Sequence, residues 1–306
     1  MKTWKKMALT LGICMAGVGA IAMGAGYAMG GQPNIVLNLW NRPIQVGAFG
    51  TNLGAHPGGA IIDEENLDPF TQLHISDNYG DIRVETGSTY SLKITGSAED
   101  KPTYTLENGI LTVKASPTVV VGIDLSDNSS DIVVTVPSDA KLKEVTVDTD
   151  MGTVRLSGIT AERLTVTNSF GDVRLENSTC GTAELSLDSG SLRLSDSTVT
   201  AGRLNNSFGG IRGERLISDD LTVTSDSGDV DLDGTLGSVK VASAFGEIRV
   251  NTSRNAAEFR YDLATDYGKI LVDGKEVGTA KNTSAKAPYT INLQNDLGDI
   301  RLDFGG

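Results

Sequence analysis

Apolar and polar residues alternate along most of the chain in short runs, and the runs recur around a regularly spaced glycine. Gly152, Gly171, Gly190, Gly209 and Gly228 are 19 residues apart, Gly246 follows after 18, Gly268 after 22 and Gly298 after 30, while Gly80 marks an earlier copy. Counting from the glycine, position +2 is apolar in every copy, from Ile82, Val154 and Val173 to Ile270 and Ile300. Position +4 (Val84, Leu156, Leu175, Leu194, Leu232) and position −5 (Ile75, Val147, Val166, Leu185, Leu204) are apolar too, whereas position −6 (His74, Thr146, Thr165, Glu184, Arg203) is polar. Alternation with period two on both sides of the glycine predicts two strands per copy, each burying one face. Asn, Asp or Ser at position −2 followed closely by Gly is the chemistry of a tight bend.

Two architectures use such a unit. An antiparallel meander would need some eighteen strands, beyond the roughly ten at which open sheets curl or split. A solenoid instead stacks each strand on its own copy one coil away, so that each column becomes a ladder. The sameness of the columns predicts the second: an all-β fold, a parallel β-solenoid (β-helix-like) of about 19-residue strand-turn-strand coils. At about 4.8 Å per coil, nine coils make a rod on the order of 40 Å long, with two facing sheets and a thin aliphatic core. Position −1 alternates large and small in Phe170, Ser189, Phe208, Ser227 and Phe245, which is read as packing at a tight corner.

The most regular repeats run from Lys143 to Gly274, within a repeat region of 143–306. Residues 67–142 form an expected irregular N-terminal β cap, with the Gly80 copy, a hairpin at Asn108-Gly109 and a strand ending at Val136-Pro137. Lys275 to Pro288 is expected as a loop and Tyr289 to Phe304 as the closing copy. Ahead of the repeats, 30–66 reads as a Gly- and Pro-punctuated spacer, and 1–29 as a transmembrane anchor or signal peptide. Lys2, Lys5 and Lys6 precede 23 uncharged residues, Met7 to Met29, long enough for a transmembrane helix. The lysines place the N-terminus in the cytoplasm and the body outside, as a single-pass protein of the cytoplasmic membrane. Small residues at Ala20-Ile21-Ala22 and Gly26-Tyr27-Ala28 leave secretion after signal cleavage as the alternative.

The formal charge is −13, and setting aside the three N-terminal lysines leaves −16, which excludes phosphate-reading nucleic-acid binders. Gly at 36 residues and aromatics at 5% suit short strands, tight turns and a narrow interior. His56, His74, Cys14 and Cys180 are too few for a His/Cys zinc site or a disulfide framework. Leu11-Gly12-Ile13 ahead of Cys14 does not suit a lipoprotein signal, and Cys180 reads as a packed or turn residue.

The basic and apolar N-terminus, the leading copy Leu73 to Val84, the step at Val136-Pro137 and the repeated G-D-[IV]-R-[LV] units together resemble the bacterial putative-adhesin family of β-strand-repeat cell-envelope proteins. The resemblance runs from about Leu67 to the C-terminus. It implies a β-solenoid-like extracytoplasmic domain of unknown function, common in Gram-positive bacteria and sometimes tied to envelope-stress systems. It carries over no catalytic residue.

Seven of nine copies carry Arg at +3: Arg83, Arg155, Arg174, Arg193, Arg212, Arg249 and Arg301. Such a column suits bidentate recognition of phosphates or uronates. The same face carries carboxylates at +1, including Asp172 and Asp229, and at +5, including Glu176, so a self-neutralising ladder is the simpler expectation. Calcium bridging an envelope polyanion to Asp172, Glu176 and Asp229 is the one cofactor reading. Carboxylates recur in every coil, so no pair marks a glycosidase-like site. The function expected is a non-enzymatic, membrane-anchored adhesin-like or scaffolding protein whose partners are the membrane and an envelope polymer or protein. A sensor subunit of an envelope-stress pathway and a polysaccharide-active enzyme are the alternatives.

Overall fold

The computed structural model describes residues 34–39, 42–47, 60–95, 102–114, 131–278, 280–282 and 287–305. The expected anchor, its possible cleavage sites and Cys14 lie outside these residues. Among the described residues no helix is long and apolar enough to cross a membrane. Two units are distinguished. The first contributes an antiparallel hairpin, Asn34–Leu39 with Arg42–Gly47. The second holds all the repeats.

In that second unit the long strands Lys141–Met151, Thr160–Phe170, Thr179–Ser189 and Thr198–Phe208 pair in parallel, each with its copy one coil on. The short strands Val154–Ser157, Val173–Glu176 and Leu192–Ser195 do the same. Val166 therefore lies beside Val147 and Leu185, and Val173 beside Val154 and Leu192, which rules out a meander pairing Val166 with Val173. Positions +2 and −5 are buried in all nine copies, and +4 in all but Val272, which is half-buried. Gly213 breaks the +4 column, and the δ-methyls of Leu216 and Leu232 close over its vacant place.

The Gly152, Gly171, Gly190 and Gly209 coils each have three inward runs, not the two that facing sheets would give. In the Gly152 coil these are Val154 and Leu156, then Ile159 and Ala161, then Leu164, Val166 and Asn168. A left-handed residue at +6 separates the first two: Gly158, Asn177, Asp196 and Arg215 in successive coils. Glu162 and Arg163, both outward, separate the second from the third. A run of strict alternation cannot place two neighbours on one face, so the long strand bends there. Cys180 belongs to the second run, between Ala161 and Val199. The 18-residue step to Gly246 is absorbed by a bulge between Gly213 and Leu216 opposite Leu232 and Gly234.

The order of coils departs from the order of the chain. Tyr289–Leu297, expected at the end of the ladder, lies between strand Val230–Phe245 and strand Phe259–Tyr267, parallel to both. Ile300–Phe304 likewise lies between Ile248–Thr252 and Ile270–Val272. The expected loop at 275–288 explains this, because part of it forms two strands. Lys275–Val277 and Ala280–Asn282 pair antiparallel with Ile270–Val272 and Phe259–Tyr267 and cover the outer edge of the Gly268 coil. Its other edge is then filled by the last copy. At the opposite end, Thr103–Glu107 and Ser91–Thr95 close the ladder antiparallel to Ile110–Lys114 and Asp131–Pro137. Ala60–Glu65, within the expected spacer, pairs with Ser91–Thr95. Antiparallel strands thus cover the unpaired edges that invite aggregation. Asn108 and Gly109 both have positive φ at the tip of the expected hairpin, as a type I′ turn requires.

Candidate functional site

The arginines stack into one column broken at a single rung. Arg83, Arg155, Arg174, Arg193 and Arg212 occupy successive coils in register, Asp231 interrupts them, and Arg249 and Arg301 follow. Like charges one strand apart repel, so the column needs interleaved anions. Arg155 Nη2 meets Glu176 Oε2 at 2.6 Å, and Arg174 Nη2 meets Asp172 Oδ2 at 3.0 Å. Arg212 lies between Glu214 (2.9 Å) and Asp231 (3.5 Å), while Arg249 and Arg301 share Glu247. Arg193, flanked by Ser191 and Ser195 on its own strand, makes no ion pair among the described residues.

The +1 carboxylates also tie coil to coil. Asp81 accepts the Thr153 N–H at 2.9 Å, Asp172 that of Ser191 at 3.0 Å, Asp229 that of Glu247 at 2.8 Å and Asp299 that of Lys269 at 2.9 Å. Partial burial would raise the Asp172 carboxyl, yet the Ser191 backbone N–H and the Arg174 guanidinium outweigh it and hold the group below the usual carboxylate range. Asp172, just ahead of strand Val173–Glu176, and Glu176, at its end, flank Arg174, whereas Asp229 stands three coils away. The three do not converge, and no cluster of three or more His, Cys, Asp or Glu suited to a metal occurs among the described residues.

A further ion pair sits at the +6 turn. Arg215 Nε and Nη2 donate to the two Asp196 oxygens, each at 2.6 Å, a fork that lowers the Asp196 carboxyl from its ordinary value and raises the arginine. A shallow depression of about 300 Å³ opens over Ala183 and Gly202, where the −7 column shrinks between Leu164 and Leu221; Arg163, Glu184, Arg203 and Asp220 lie around it. Cys180 is fully buried, and burial pushes its thiol up to about 12, the signature of an inert packed cysteine.

One further column escaped the pattern reading, and a second departs from it. Position −3 points inward at the bend and is mostly polar: Thr149, Asn168, Asn206, Ser225, Ser243 and Asn295 are buried there. Asn168 donates to the Gly152 carbonyl at 2.9 Å, Asn206 to those of Gly190 and Gly209 at 2.9 Å, and Asn295 to that of Gly246 at 2.8 Å. These side chains satisfy carbonyls that the glycine corner turns inward. Continuing the alternation −7, −5 to −3 would have found them. Position −1 is not the packed corner expected. Phe170, Phe208, Phe245 and Tyr267 are 57%, 64%, 55% and 73% exposed, and Tyr79, Met151 and Leu297 also face out.

Residues 70–303 match the family described as Toastrack DUF4097. No curated protein matches the chain. A solved putative adhesin from Bacteroides fragilis NCTC 9343 is 14% identical with a TM-score of 0.51, over 79% of this chain and 96% of that one, and so shares the fold. A putative adhesin from Parabacteroides distasonis ATCC 8503 is 11% identical with a TM-score of 0.47, over 81% and 98% of the two chains. A putative lipid binding protein of the same strain is 10% identical with a TM-score of 0.38, over 79% and 96%.

Proposed function

Because the chain belongs to the Toastrack DUF4097 family, we propose that it is a non-enzymatic, adhesin-like or scaffolding protein of the bacterial envelope. In this reading residues 7–29 hold it in the cytoplasmic membrane and the stacked β-coils, a solenoid, stand outside. The observation that carries the reading is the repetition itself. Arg, Asp and Glu recur at equivalent places, and several of them pair with one another or accept backbone N–H groups of the next coil. Catalysis needs a few groups set apart from such a pattern, with a water-excluding cleft around them. A long surface of equivalent, exposed columns suits contact with an extended partner instead.

The test is cross-linking of the full-length protein in native envelopes, with N-terminal sequencing of the membrane-extracted chain. Recovery of an envelope polymer or surface protein with an intact Met7–Met29 segment supports the reading. A mature chain starting near Met23 or Met29 overturns the anchor. Capture of a signalling membrane protein at one end of the ladder favours the sensor alternative, and turnover of an envelope glycan by the purified protein overturns the non-enzymatic assignment.

A further inference from the structure

The −1 column gains an order in space that it lacks in sequence. Following the ladder coil by coil, it reads Tyr79, Met151, Phe170, Ser189, Phe208, Ser227, Phe245, Leu297, Tyr267. An aromatic ring therefore occupies every second coil along the whole ladder. The alternation survives at the C-terminal end only because the last copy is inserted before the Gly268 coil, placing Leu297 between Phe245 and Tyr267. Successive rings are two strand spacings apart, about 9.6 Å. All nine residues of the column but the two serines are apolar and well exposed, and they account for most of the large exposed apolar side chains among the described residues. A contiguous exposed ridge of this kind marks an interaction surface.

From the Gly152 coil to the last copy the neighbouring −2 column alternates in the opposite phase, and Asp266 beside Tyr267 breaks it at the end. Ser169, Ser207 and Ala244 stand beside the phenylalanines, and Asp150, Asp188, Asp226 and Asp296 beside the residues between the rings. Between the central rings a carboxylate and a hydroxyl are therefore chain neighbours, Asp188 with Ser189 and Asp226 with Ser227. The surface repeats ring, then hydrogen-bond acceptor, every two coils. We infer that this ridge is a binding platform for an uncharged, extended β-1,4-linked polysaccharide. In such a chain every second pyranose presents the same face, so its two-sugar repeat, close to two strand spacings, brings one C–H face onto each ring. Hydroxyls of the intervening sugar donate to the carboxylate in each notch.

Charge decides against the other occupants. An anionic lipid surface or polyanion meets five carboxylates beside the ridge, Asp266 included, and a chain of net charge −13. A second copy would interlock rings with notches but would bring Asp150, Asp188, Asp226 and Asp296 against their own counterparts.

This inference rests on the adhesin-like reading and names its ligand class. The full-length protein in zwitterionic-lipid nanodiscs is run in native gels containing hydroxyethylcellulose, with dextran as the α-linked control, and titrated calorimetrically with cellohexaose. Retardation by the β-1,4 glycan alone, unchanged between low and high salt, is expected. Phe208→Ser should weaken it several-fold, Phe170→Ser/Phe208→Ser/Phe245→Ser should reduce it at least tenfold, and Asp188→Asn/Asp226→Asn should weaken it with the rings intact. These side chains are exposed, so urea midpoints stay near wild type and separate lost binding from lost fold. No retardation of the wild type, retardation unaffected by the triple variant, or binding abolished by salt overturns the platform. A Phe-dependent dimer in sedimentation overturns it in favour of self-association. If the triple variant still cross-links to the same envelope partner, the platform falls while the adhesin-like reading stands.

Discussion

Asn295 donates its side-chain N–H to the carbonyl oxygen of Gly246 at 2.8 Å, although the whole Gly268 coil separates them in sequence. The Gly246 N–H returns a bond to the Leu297 carbonyl at 3.0 Å, and the Gly298 N–H reaches the Tyr267 carbonyl at 2.9 Å. A coil that enters last along the chain thus becomes the penultimate rung.

That order is testable by cross-linking. Ala242 is in register with Gln294, and Gln294 with Ala264, so Ala242 and Ala264 stand two coils apart. Adjacent strands lie about 4.8 Å apart, within disulfide range, whereas two coils are not. Ala242→Cys/Gln294→Cys should oxidise to a disulfide found by peptide mass mapping, and Ala242→Cys/Ala264→Cys should not. The reverse result would restore the sequential order.

The glycine spine should tolerate no side chain. Gly171 has φ of 141°, and a Cβ there would strike the carbonyl of Gly152 in the adjoining coil. Gly171→Ala should cost about 2 kcal/mol or more in urea unfolding, combining the conformational penalty with the displaced strand. Gly109, with φ of 73° and open space around it, isolates the conformational part. Gly109→Ala should cost about 1 kcal/mol, and equal losses at both sites would contradict the close approach.

Inward and outward neighbours on one strand should separate cleanly. Val173 is fully buried and the Arg174 side chain is 41% exposed. Val173→Ala should cost about 1–3 kcal/mol through lost packing, while Arg174→Ala should cost under about 1 kcal/mol because solvent screens its ion pair. Buried Asn168 offers a third comparison: Leu187 fills the same column naturally, so Asn168→Leu should be milder than Asn168→Asp. In the aspartate variant the carboxylate faces a carbonyl oxygen. Its folded pKa is raised, so the loss should be greatest at neutral pH and shrink as acid protonates it.

Asp172 should give the opposite pH response. Its folded pKa lies below the unfolded value of about 3.9, so its contribution is present above that value and disappears as pH falls through the folded pKa. With the side chain 35% exposed, the contribution should stay below about 1 kcal/mol. Asp172→Asn should remove that part of the acid sensitivity, read from urea midpoints between neutral and acidic pH. A carboxyl resonance for Asp172 titrating at or above the ordinary value would contradict the bonding described.

Several features followed from the sequence alone: the parallel stacking, because three columns keep the same character over nine copies; the hairpin at Asn108-Gly109; the outward arginine column; and the packed role of Cys180. Each depends on local alternation or turn chemistry, which any copy carries within itself. The order of the coils does not, since copies with equivalent columns fit beside one another interchangeably. It was decided when Lys275–Val277 and Ala280–Asn282 covered one edge of the Gly268 coil and left the other for the final strands. The bend at Glu162-Arg163 and the exposure of Phe170 and its counterparts were likewise tertiary outcomes. A large–small alternation reads equally well as interior packing or as a surface ridge, and only the direction of the backbone at the positive-φ glycine turned it toward solvent.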